Sequence, residues 1–303
     1  MINLPSHVEM ILSRLSDAGF EAYIVGGCVR DSLLGKFSSD WDITTNAKPE
    51  EIKKTFEGCN LVEIGIVHGT IGVITDDIIT EITTYRIDGE YLDSRHPETV
   101  SFTTSLREDL KRRDFTINAM AYNLEDGLID YFNGCNDLKN EIIRTVGDPK
   151  KRFSEDALRI LRALRFSSTL GFNIEESSET QLRVMSHMLE NISAERKYIE
   201  LTKLLFGSSC ENVLSKHNDI ISKVIPELEP TYLFDQNHPY HHLPLWEHLC
   251  KTVANVENDP ALKYAALLHD IAKPLCANTQ NGLTLYDKHE TLGAVIAESV
   301  MTR

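Results

Sequence analysis

The spacing of hydrophobic residues differs between the two halves of the chain. In its first half, a spacing of three and four residues predicts a helix over 4–18, and a proline near the start predicts a short helix over 49–56. Asp76 and Asp77 are typical of a hairpin turn. Short runs rich in β-branched and aromatic residues predict strands over 22–25, 42–45, 61–64, 70–75 and 78–85.

The pattern changes twice along the rest of the chain. Residues 86–104 are polar, have no clear period and predict a long loop. From Lys151 onward helical spacing dominates, and Gly147-Asp148-Pro149 marks a boundary before it. Helical spacing continues to the last residues without a closing turn, so we expect the chain to be a fragment of a longer protein. We predict three parts, an α+β head over 1–148, a helical neck over 149–225 and a further helical domain over 226–303.

Composition bounds the class of protein. A chain of 303 residues with 42% hydrophobic and 25% charged residues is ordinary for a globular protein of two or three domains. The amino-terminal segment is amphipathic and charged, unlike a signal peptide, and no apolar run approaches the length of a membrane span. The six cysteines are scattered without a Cys-x-x-Cys pair. This spacing argues against a zinc ribbon or a disulfide framework and favours a cytoplasmic protein.

The net charge of −15 is unfavourable for a nucleic-acid partner, but it hides local basic segments. Residues 144–166 carry seven arginines and lysines against three acids, and Lys111, Arg112 and Arg113 form a second basic group. The alternative is that these are solvated helix faces, as most charge runs are.

A double glycine after the first predicted strand indicates a phosphate-binding turn. Gly26 and Gly27 let the backbone approach an anion, and the first N–H groups of the following helix point towards it. Arg30 projects from the first turn of that helix towards the same place. Taken alone, Gly-Gly is equally typical of an ordinary strand–helix turn.

Three carboxylates form a candidate catalytic metal site. Asp40 and Asp42 are two residues apart, so on an extended strand they point to the same side and share divalent cations. Glu81 lies in the middle of a predicted strand, where an acid is either exposed at an edge or faces a cation. A phosphate site facing such a pair is what nucleotidyl transfer requires. An isolated Asp-x-Asp is more often a surface loop.

Residues 109–121 hold a second group of candidate ligands. If Arg113 lies near the phosphates of a nucleotide, Asp114 and Asn118 lie near its sugar, where a carboxylate and an amide oxygen accept from ribose hydroxyls. The alternative is an exposed basic helix end followed by a buried strand.

Residues 153–166 predict a helix with Ser154 as its N-cap. Asp156 and Arg159, three residues apart, then offer an acceptor beside a donor, a pair that fits cytosine and adenine and rejects uracil and guanine. Arg162 and Arg165 continue the same face. An intrahelical salt bridge is an equally good interpretation of this segment alone.

Taken together, these motifs resemble the class II family of CCA-adding enzymes and poly(A) polymerases, within the nucleotidyltransferase superfamily. The resemblance runs continuously over residues 20–205. Its motifs are GGCVRD (26–31), DWD (40–42), EITTYR (81–86), DLKRRDFTINAMA (109–121), DYFNGCNDL (130–138), EDALRILRALRF (155–166) and SAERKYIEL (193–201).

The resemblance implies a polymerase β-like head with a mixed sheet, followed by an all-α neck and body. Asp40 and Asp42 would then hold catalytic Mg²⁺, with Glu81 completing the site. The remaining implied roles are nucleotide binding by Gly26, Gly27, Arg30, Arg113, Asp114 and Asn118, base reading by Asp156 and Arg159, and further nucleotide contacts by Arg162 and Arg165.

The implied reaction is attack of a tRNA 3′-hydroxyl on the α-phosphate of CTP or ATP, with release of pyrophosphate. Residues 86–97 resemble the flexible loop that the family needs for the final A, which argues against CC-only addition. A-only addition and poly(A) synthesis remain alternatives within the family. A tRNA- or nucleotide-binding module with a regulatory domain is the alternative from another class. The sequence does not fix the oligomeric state.

The last third contains His248, His269 and Asp270, with His289 further on. A His-Asp doublet with a histidine about one helix earlier resembles the HD-type phosphohydrolase fold. That resemblance implies a partial HD-like domain in which His248, His269 and Asp270 bind a second divalent metal. The alternative is that the histidines are structural. The final aspartate of such a site has no match before Arg303, which argues against hydrolase activity.

Overall fold

The computed structural model describes residues 2–75, 77–89, 99–237, 242–280 and 283–303. The chain divides into two compact units, Met1–Asp156 and Ala157–Arg303. The three-part division at residues 148 and 225 stays a prediction. Of the helices in the described ranges, none combines the length and apolarity that crossing a bilayer requires.

The first unit is built around a seven-stranded sheet. The strands of this unit are β1 (Ala22–Val25), β2 (Asp42–Thr45), β3 (Asn60–Gly65), β4 (Thr70–Thr75), β5 (Ile78–Thr84), β6 (Arg86–Asp88), β7 (Val100–Phe102), β8 (Met120–Asn123), β9 (Gly127–Asp130) and β10 (Ile142–Ile143), of which β6, β7 and β10 lie outside the large sheet. The order in the large sheet is β3-β4-β5-β2-β1-β8-β9. β2 and β5 pair in parallel, and the other neighbours pair antiparallel, so the predicted mixed sheet is confirmed.

Six α-helices accompany the sheet in the described part of this unit. They are α1 (Ser6–Asp17), α2 (Gly27–Leu33), α3 (Pro49–Thr55), α4 (Leu106–Lys111), α5 (Gly134–Lys139) and α6 (Pro149–Glu155). The apolar face predicted for α1 is buried, as are the strand positions that alternate towards the core, such as Ile43, Ile71 and Ile82. Hydrophobic burial of these alternate positions fixes the register, because a slip of one residue turns every side chain to the other face.

The second unit is helical apart from three short strands. Its helices are α7 (Leu158–Leu170), α8 (Glu176–Met185), α9 (Ala194–Leu205), α10 (Cys210–Lys216), α11 (Asn218–Val224), α12 (Leu245–Asn255), α13 (Pro260–Leu268), α14 (Lys273–Cys276) and α15 (His289–Thr302). The strands are β11 (Asn173–Ile174), β12 (Asn278–Gln280) and β13 (Leu283–Leu285). The predicted apolar side of α7 is buried, with Leu161 and Leu164 fully inaccessible to solvent.

Two sequence predictions are wrong. The polar stretch over 86–104 is not one long loop, because β6 and β7 pair as an antiparallel ribbon, with Arg86 opposite Phe102. The resemblance to a flexible loop falls mainly on residues 90–98, which lie outside the described residues. Ser154 is not an N-cap. It lies inside α6, whose N-cap is Asp148, and its hydroxyl donates to the backbone oxygen of Lys151.

The predicted hairpin between β4 and β5 is confirmed by the pairing of Thr75 with Ile78, while Asp76 lies outside the described residues. In the second unit, close packing depends on one glycine. A Cβ on Gly207 would lie 2.2 Å from the hydroxyl of Ser168 and 2.5 Å from its carbonyl carbon, so only glycine fits there.

Candidate active site

The three predicted metal ligands come from neighbouring strands of the large sheet. Asp42 is the first residue of β2 and pairs with Val25 at the end of β1. Ile43 pairs in parallel with Ile82, which places Glu81 of β5 level with Asp42. Asp40 precedes β2 rather than lying on it, which corrects the expectation that both aspartates share one strand.

The electrostatics show that these carboxylates are close. Burial raises the pKa of Asp42, Asp40 raises it further, and the Arg113 guanidinium opposes the rise. Burial also raises the pKa of Glu81, and the charges of Asp42 and Asp40 add to it. Repulsion among clustered acids is what a divalent cation relieves, and carboxylate oxygens are the ligands that Mg²⁺ prefers. The chemistry of the three residues therefore suits a divalent cation.

Gly26 forms the opposite wall of this site. It is the N-cap of α2 and has φ of 82°, a region that residues with a side chain rarely adopt. A Cβ at this position would lie 3.0 Å from Nη1 of Arg113 and 3.9 Å from Oδ2 of Asp42. The backbone of Gly26, the Arg113 guanidinium and the Asp42 carboxylate therefore lie close together.

Arg113 has hydrogen-bonding capacity left for a ligand. Its Nε is buried and has no hydrogen-bond partner within the described ranges. Its Nη2 lies 3.9 Å from Oδ2 of the buried Asp109, so the guanidinium forms an ion pair on the side away from Gly26. A partly buried cation with an unused donor, beside a glycine turn, suits the phosphates of a nucleotide.

Arg30, Asn118 and Asp114 form a chain of hydrogen bonds. Arg30 Nη1 donates to Oδ1 of Asn118 at 2.6 Å, and Asn118 Nδ2 donates to Oδ1 of Asp114 at 3.1 Å. Asp31 binds the other side of the Arg30 guanidinium, at 2.9 Å from Nε. The structure therefore brings the predicted phosphate ligand and the predicted sugar ligands together, and all three side chains are buried.

The sequence analysis assigned no role to Asp109, although this residue organises the arginines. It is fully buried on α4 and accepts from Arg112 Nε at 2.9 Å and from Thr44 Oγ1 at 3.0 Å. The spacing could have indicated this role. Arg112 and Arg113 follow Asp109 by three and four residues, and side chains at that spacing on a helix are neighbours.

The predicted base-reading pair does not lie on one helix. Asp156 is in an extended conformation at the end of α6, with φ of −145° and ψ of 104°, whereas Arg159 belongs to α7. The single helix that both interpretations of this segment assumed is therefore not formed. Asp156 ends the first unit and Arg159 lies near the start of the second.

Arg162 and Arg165 both face the buried Glu200 of α9. Nε of Arg165 lies 2.6 Å from one carboxylate oxygen of Glu200, and Nη1 of Arg162 lies 3.7 Å from the other. Both guanidinium groups also lie over the ring of Phe166. The two arginines thus have structural partners in addition to their predicted role towards a nucleotide.

The HD-like residues form a separate cluster in the second unit. Within the described ranges, His248, His269 and Asp270 are the one group of three metal-ligand residue types whose ligand atoms all lie within 4.8 Å of one another. The ligand atoms of Asp40, Asp42 and Glu81 are more widely spaced than that. His248 and His269 both face Oδ2 of Asp270, and Nε2 of His289 lies 3.4 Å from its Oδ1.

A lysine that the sequence analysis missed lies against this cluster. Lys273 is buried, and its Nζ lies 2.7 Å from Oδ2 of Asp270 and donates to Gln236 at 2.9 Å. Burial alone would raise the pKa of Asp270, but His269 and Lys273 hold it well below its usual range. Burial lowers the pKa of His248, and the charges of His269 and Lys273 lower it further.

Comparisons with known proteins identify the family to which the chain is similar. A family model described as the poly A polymerase head domain matches residues 22–144, and a second, described as the probable RNA- and SrmB-binding site of polymerase A, matches residues 171–232. The chain is 51% identical to the CCA-adding enzyme of Leuconostoc mesenteroides over 206 aligned residues. The aligned region covers 68% of this chain and 51% of that protein. The chain thus spans about half the length of the curated relatives it matches.

Solved structures give the same result. One is the crystal structure of the Bacillus stearothermophilus CCA-adding enzyme in complex with CTP, whose sequence is 31% identical to this chain. The superposition covers 99% of this chain and 69% of that chain, with a TM-score of 0.68. A second is the crystal structure of a tRNA nucleotidyltransferase complexed with a primer tRNA and an incoming ATP analog, whose sequence is 30% identical. The superposition covers 81% of this chain and 75% of that chain, with a TM-score of 0.59.

Proposed function

The chain belongs to the family of CCA-adding enzymes and poly(A) polymerases, and from this membership we propose that it is a metal-dependent nucleotidyltransferase that adds CCA to tRNA 3′ ends. Its substrates would be CTP, ATP and tRNA, and its product besides the extended tRNA would be pyrophosphate. The observation that carries the proposal is the convergence of Gly26, Asp42 and Arg113 at the end of β1 and the start of β2. A cytoplasmic location is part of the proposal.

The carboxylates have the first task. Asp40 and Asp42 would hold Mg²⁺, with Glu81 beside them, because their mutual repulsion calls for a divalent cation. The chemistry supplied by Mg²⁺ held there would be a lower pKa of the attacking 3′-hydroxyl and neutralisation of the charge on the leaving pyrophosphate. The rest of the catalysis is positioning and charge, as is usual in phosphoryl transfer.

The triphosphate would lie between the glycine turn and two arginines. Gly26 and Gly27 leave room for phosphate oxygens against the backbone, and Arg113 offers its unused Nε. Arg30 is fixed by Asp31 and Asn118, so its charge is held in one place next to the turn. Asn118 and Asp114 would contact the sugar from the same hydrogen-bonded chain.

Selection of the base would fall to Asp156 and Arg159. Asp156 follows the last residue of α6 in an extended conformation, and Arg159 lies in the first turn of α7. An aspartate acceptor and an arginine donor complement the pairing edges of cytosine and adenine, as argued from the sequence. Arg162 and Arg165, anchored by Glu200, would add positive charge on the same helix.

Two other functions remain to be separated from CCA addition. An A-adding enzyme or a poly(A) polymerase would use the same residues, and a tRNA- or nucleotide-binding module would not need its metal ligands. The second divalent metal, at His248, His269 and Asp270 of the HD-like domain, is a further proposal that the clustering of their ligand atoms supports.

A gel-resolved extension assay tests the proposal. The purified chain, Mg²⁺ and a tRNA that lacks its 3′ end are incubated with CTP, ATP, both, UTP or GTP. Addition of two C and one A, followed by arrest, establishes CCA synthesis. Products that contain only A indicate an A-adding enzyme or a poly(A) polymerase. No product with any nucleotide, from a chain that binds tRNA and CTP, supports the binding module.

A further inference from the structure

Asp109 lies behind the candidate active site and is completely inaccessible to solvent. Four groups from three elements point at its carboxylate. Thr44 Oγ1 of β2 donates to Oδ2 at 3.0 Å, Arg112 Nε donates to Oδ1 at 2.9 Å, and the backbone N–H of Arg86 on β6 donates to Oδ1 at 3.3 Å. The fourth is Arg113, whose Nη2 is 3.9 Å from Oδ2.

The other end of the Arg113 guanidinium reaches the site. Its Nη1 lies against Gly26, and the arginine acts electrostatically on Asp42. Arg113 therefore lies between two carboxylates, one that faces the site and one that is buried behind it. A flexible arginine loses side-chain entropy when it is held in one rotamer, and a buried charged partner compensates for that loss before a ligand binds.

We propose that Asp109 is a positioning residue that fixes Arg113 beside Gly26 and Asp42 for the triphosphate of the incoming nucleotide. This inference rests on the proposed function, because the role of Arg113 towards a nucleotide is part of it. The same carboxylate joins β2, β6 and α4, so the base of the β6–β7 ribbon and the arginine share one anchor.

Asp137 provides a matched control. It is also a buried aspartate on a helix of the first unit, and it also accepts from a threonine hydroxyl and an arginine, Thr116 at 2.7 Å and Arg144 at 3.1 Å. Its loss removes a comparable set of interactions without touching Arg113. A purely structural role predicts the same behaviour for Asp109 and Asp137.

The test is a double-mutant cycle on CTP binding and on kcat/KM for CTP. Asp109→Asn keeps an acceptor for Thr44 but removes the charge behind Arg113, so we expect CTP affinity to fall about tenfold. In an Arg113→Lys background the same change should cost less than about twofold, since it acts through the arginine. Asp137→Asn should show no such coupling with Arg113→Lys.

If the fold-losses of CTP affinity caused by Asp109→Asn and by Arg113→Lys multiply in the double variant, the two residues act independently and the inference is overturned. Should Asp109→Asn fail to fold, Thr44→Val replaces it, because it removes one donor to Asp109 and leaves the carboxylate in place. A smaller loss of CTP affinity, again coupled to Arg113→Lys, supports the inference, and an uncoupled or absent loss contradicts it. Failure of the proposed function is a separate result, since it appears as no tRNA extension by the wild type while the binding cycle still reports on Asp109.

Discussion

Nζ of Lys273 lies 2.7 Å from Oδ2 of Asp270, so the HD-like cluster already contains a cation. An ammonium group at this distance neutralises the carboxylate and repels a divalent ion that approaches it. Any metal bound by His248, His269 and Asp270 must therefore tolerate or displace the lysine.

Lys273→Met should convert the cluster into a stronger metal site. We expect the variant to be less stable than wild type in chelator, because Asp270 is left buried without its lysine. Mn²⁺ or Zn²⁺ should raise its Tm more than that of wild type, with affinity increased about tenfold or more. Thermal unfolding and calorimetric titration measure both effects.

Lys263→Met is the control, because Lys263 is also buried in the second unit but donates to the backbone oxygen of Val253. That variant should lose stability without rescue by metal. Equal metal responses in the two variants would contradict the assignment of Lys273 as the competing cation.

Asp42→Ala should abolish nucleotide incorporation and leave the fold intact. Because burial and Asp40 raise the pKa of Asp42, its charge is unfavourable in the folded state without metal, and its removal should leave Tm unchanged or slightly higher in chelator. Asp77→Ala, at the exposed β4–β5 turn, is the control for expression and activity. Normal turnover in Asp42→Ala would exclude the enzymatic proposal.

Gly26→Ala should lose both stability and nucleotide affinity. The positive φ costs about 1–2 kcal/mol for a residue with a side chain. In addition, the new Cβ would lie 3.0 Å from Nη1 of Arg113 and displace it. Gly19→Ala shares the positive φ, of 86°, but meets no atom within 4 Å. Urea unfolding should show a loss in both variants, and only Gly26→Ala should weaken CTP binding.

Asp156→Ala should relax the choice of base more than it lowers stability. Removing the acceptor of the predicted pair takes away the contact to the amino groups of cytosine and adenine. The ratio of CTP to UTP incorporation, and of ATP to GTP, measures the effect. Glu155→Gln serves as the neighbouring control, since Glu155 pairs with Arg152 at 2.9 Å. Unchanged ratios in Asp156→Ala would contradict the base-reading role.

Stability of the second unit should fall in acid through Glu179. Burial alone would raise the pKa of Glu179, but the hydrogen bond from His217 and the charges of Arg183 and Lys216 lower it from 4.5 to about 2. A depressed pKa contributes stability that is complete above the unfolded value and is lost as pH falls from 4.5 towards 2. Glu179→Gln should flatten the dependence of Tm on pH in that window, and an unchanged dependence would contradict this assignment.

The sequence predicted five of the seven strands of the large sheet because they carry strong local patterns, and it did not predict β8 or β9. Five strands were located to within a residue or so, since alternation and β-branched residues report burial directly. The β6–β7 ribbon was missed because each of its strands has only three residues, and the paired Arg86 and Asp88 leave no apolar period in β6.

The candidate site was only partly predictable for a different reason. Sequence motifs name the side chains that a ligand would touch, such as Asp42 and Arg113, but not those that hold them in place. Asp109 and Lys273 contact Arg113 and Asp270 at helical spacing, which the sequence could have indicated. Their contacts to the distant Thr44 and Gln236 follow no local pattern. The break at Asp156 was likewise invisible, because the residues around it are good helix formers.

The parallel pairing of β2 with β5 also restricts how the length of this chain can vary. Glu81 faces the acidic site and Ile82 faces the core, so deleting or inserting one residue within β5 would exchange them, placing an isoleucine at the metal site and a carboxylate in the hydrophobic interior. Indels are therefore tolerated in the turns that border the sheet and excluded from the strand itself. The constraint acts on the number of residues rather than on their identity, and deletion scanning would reveal it where substitution scanning does not.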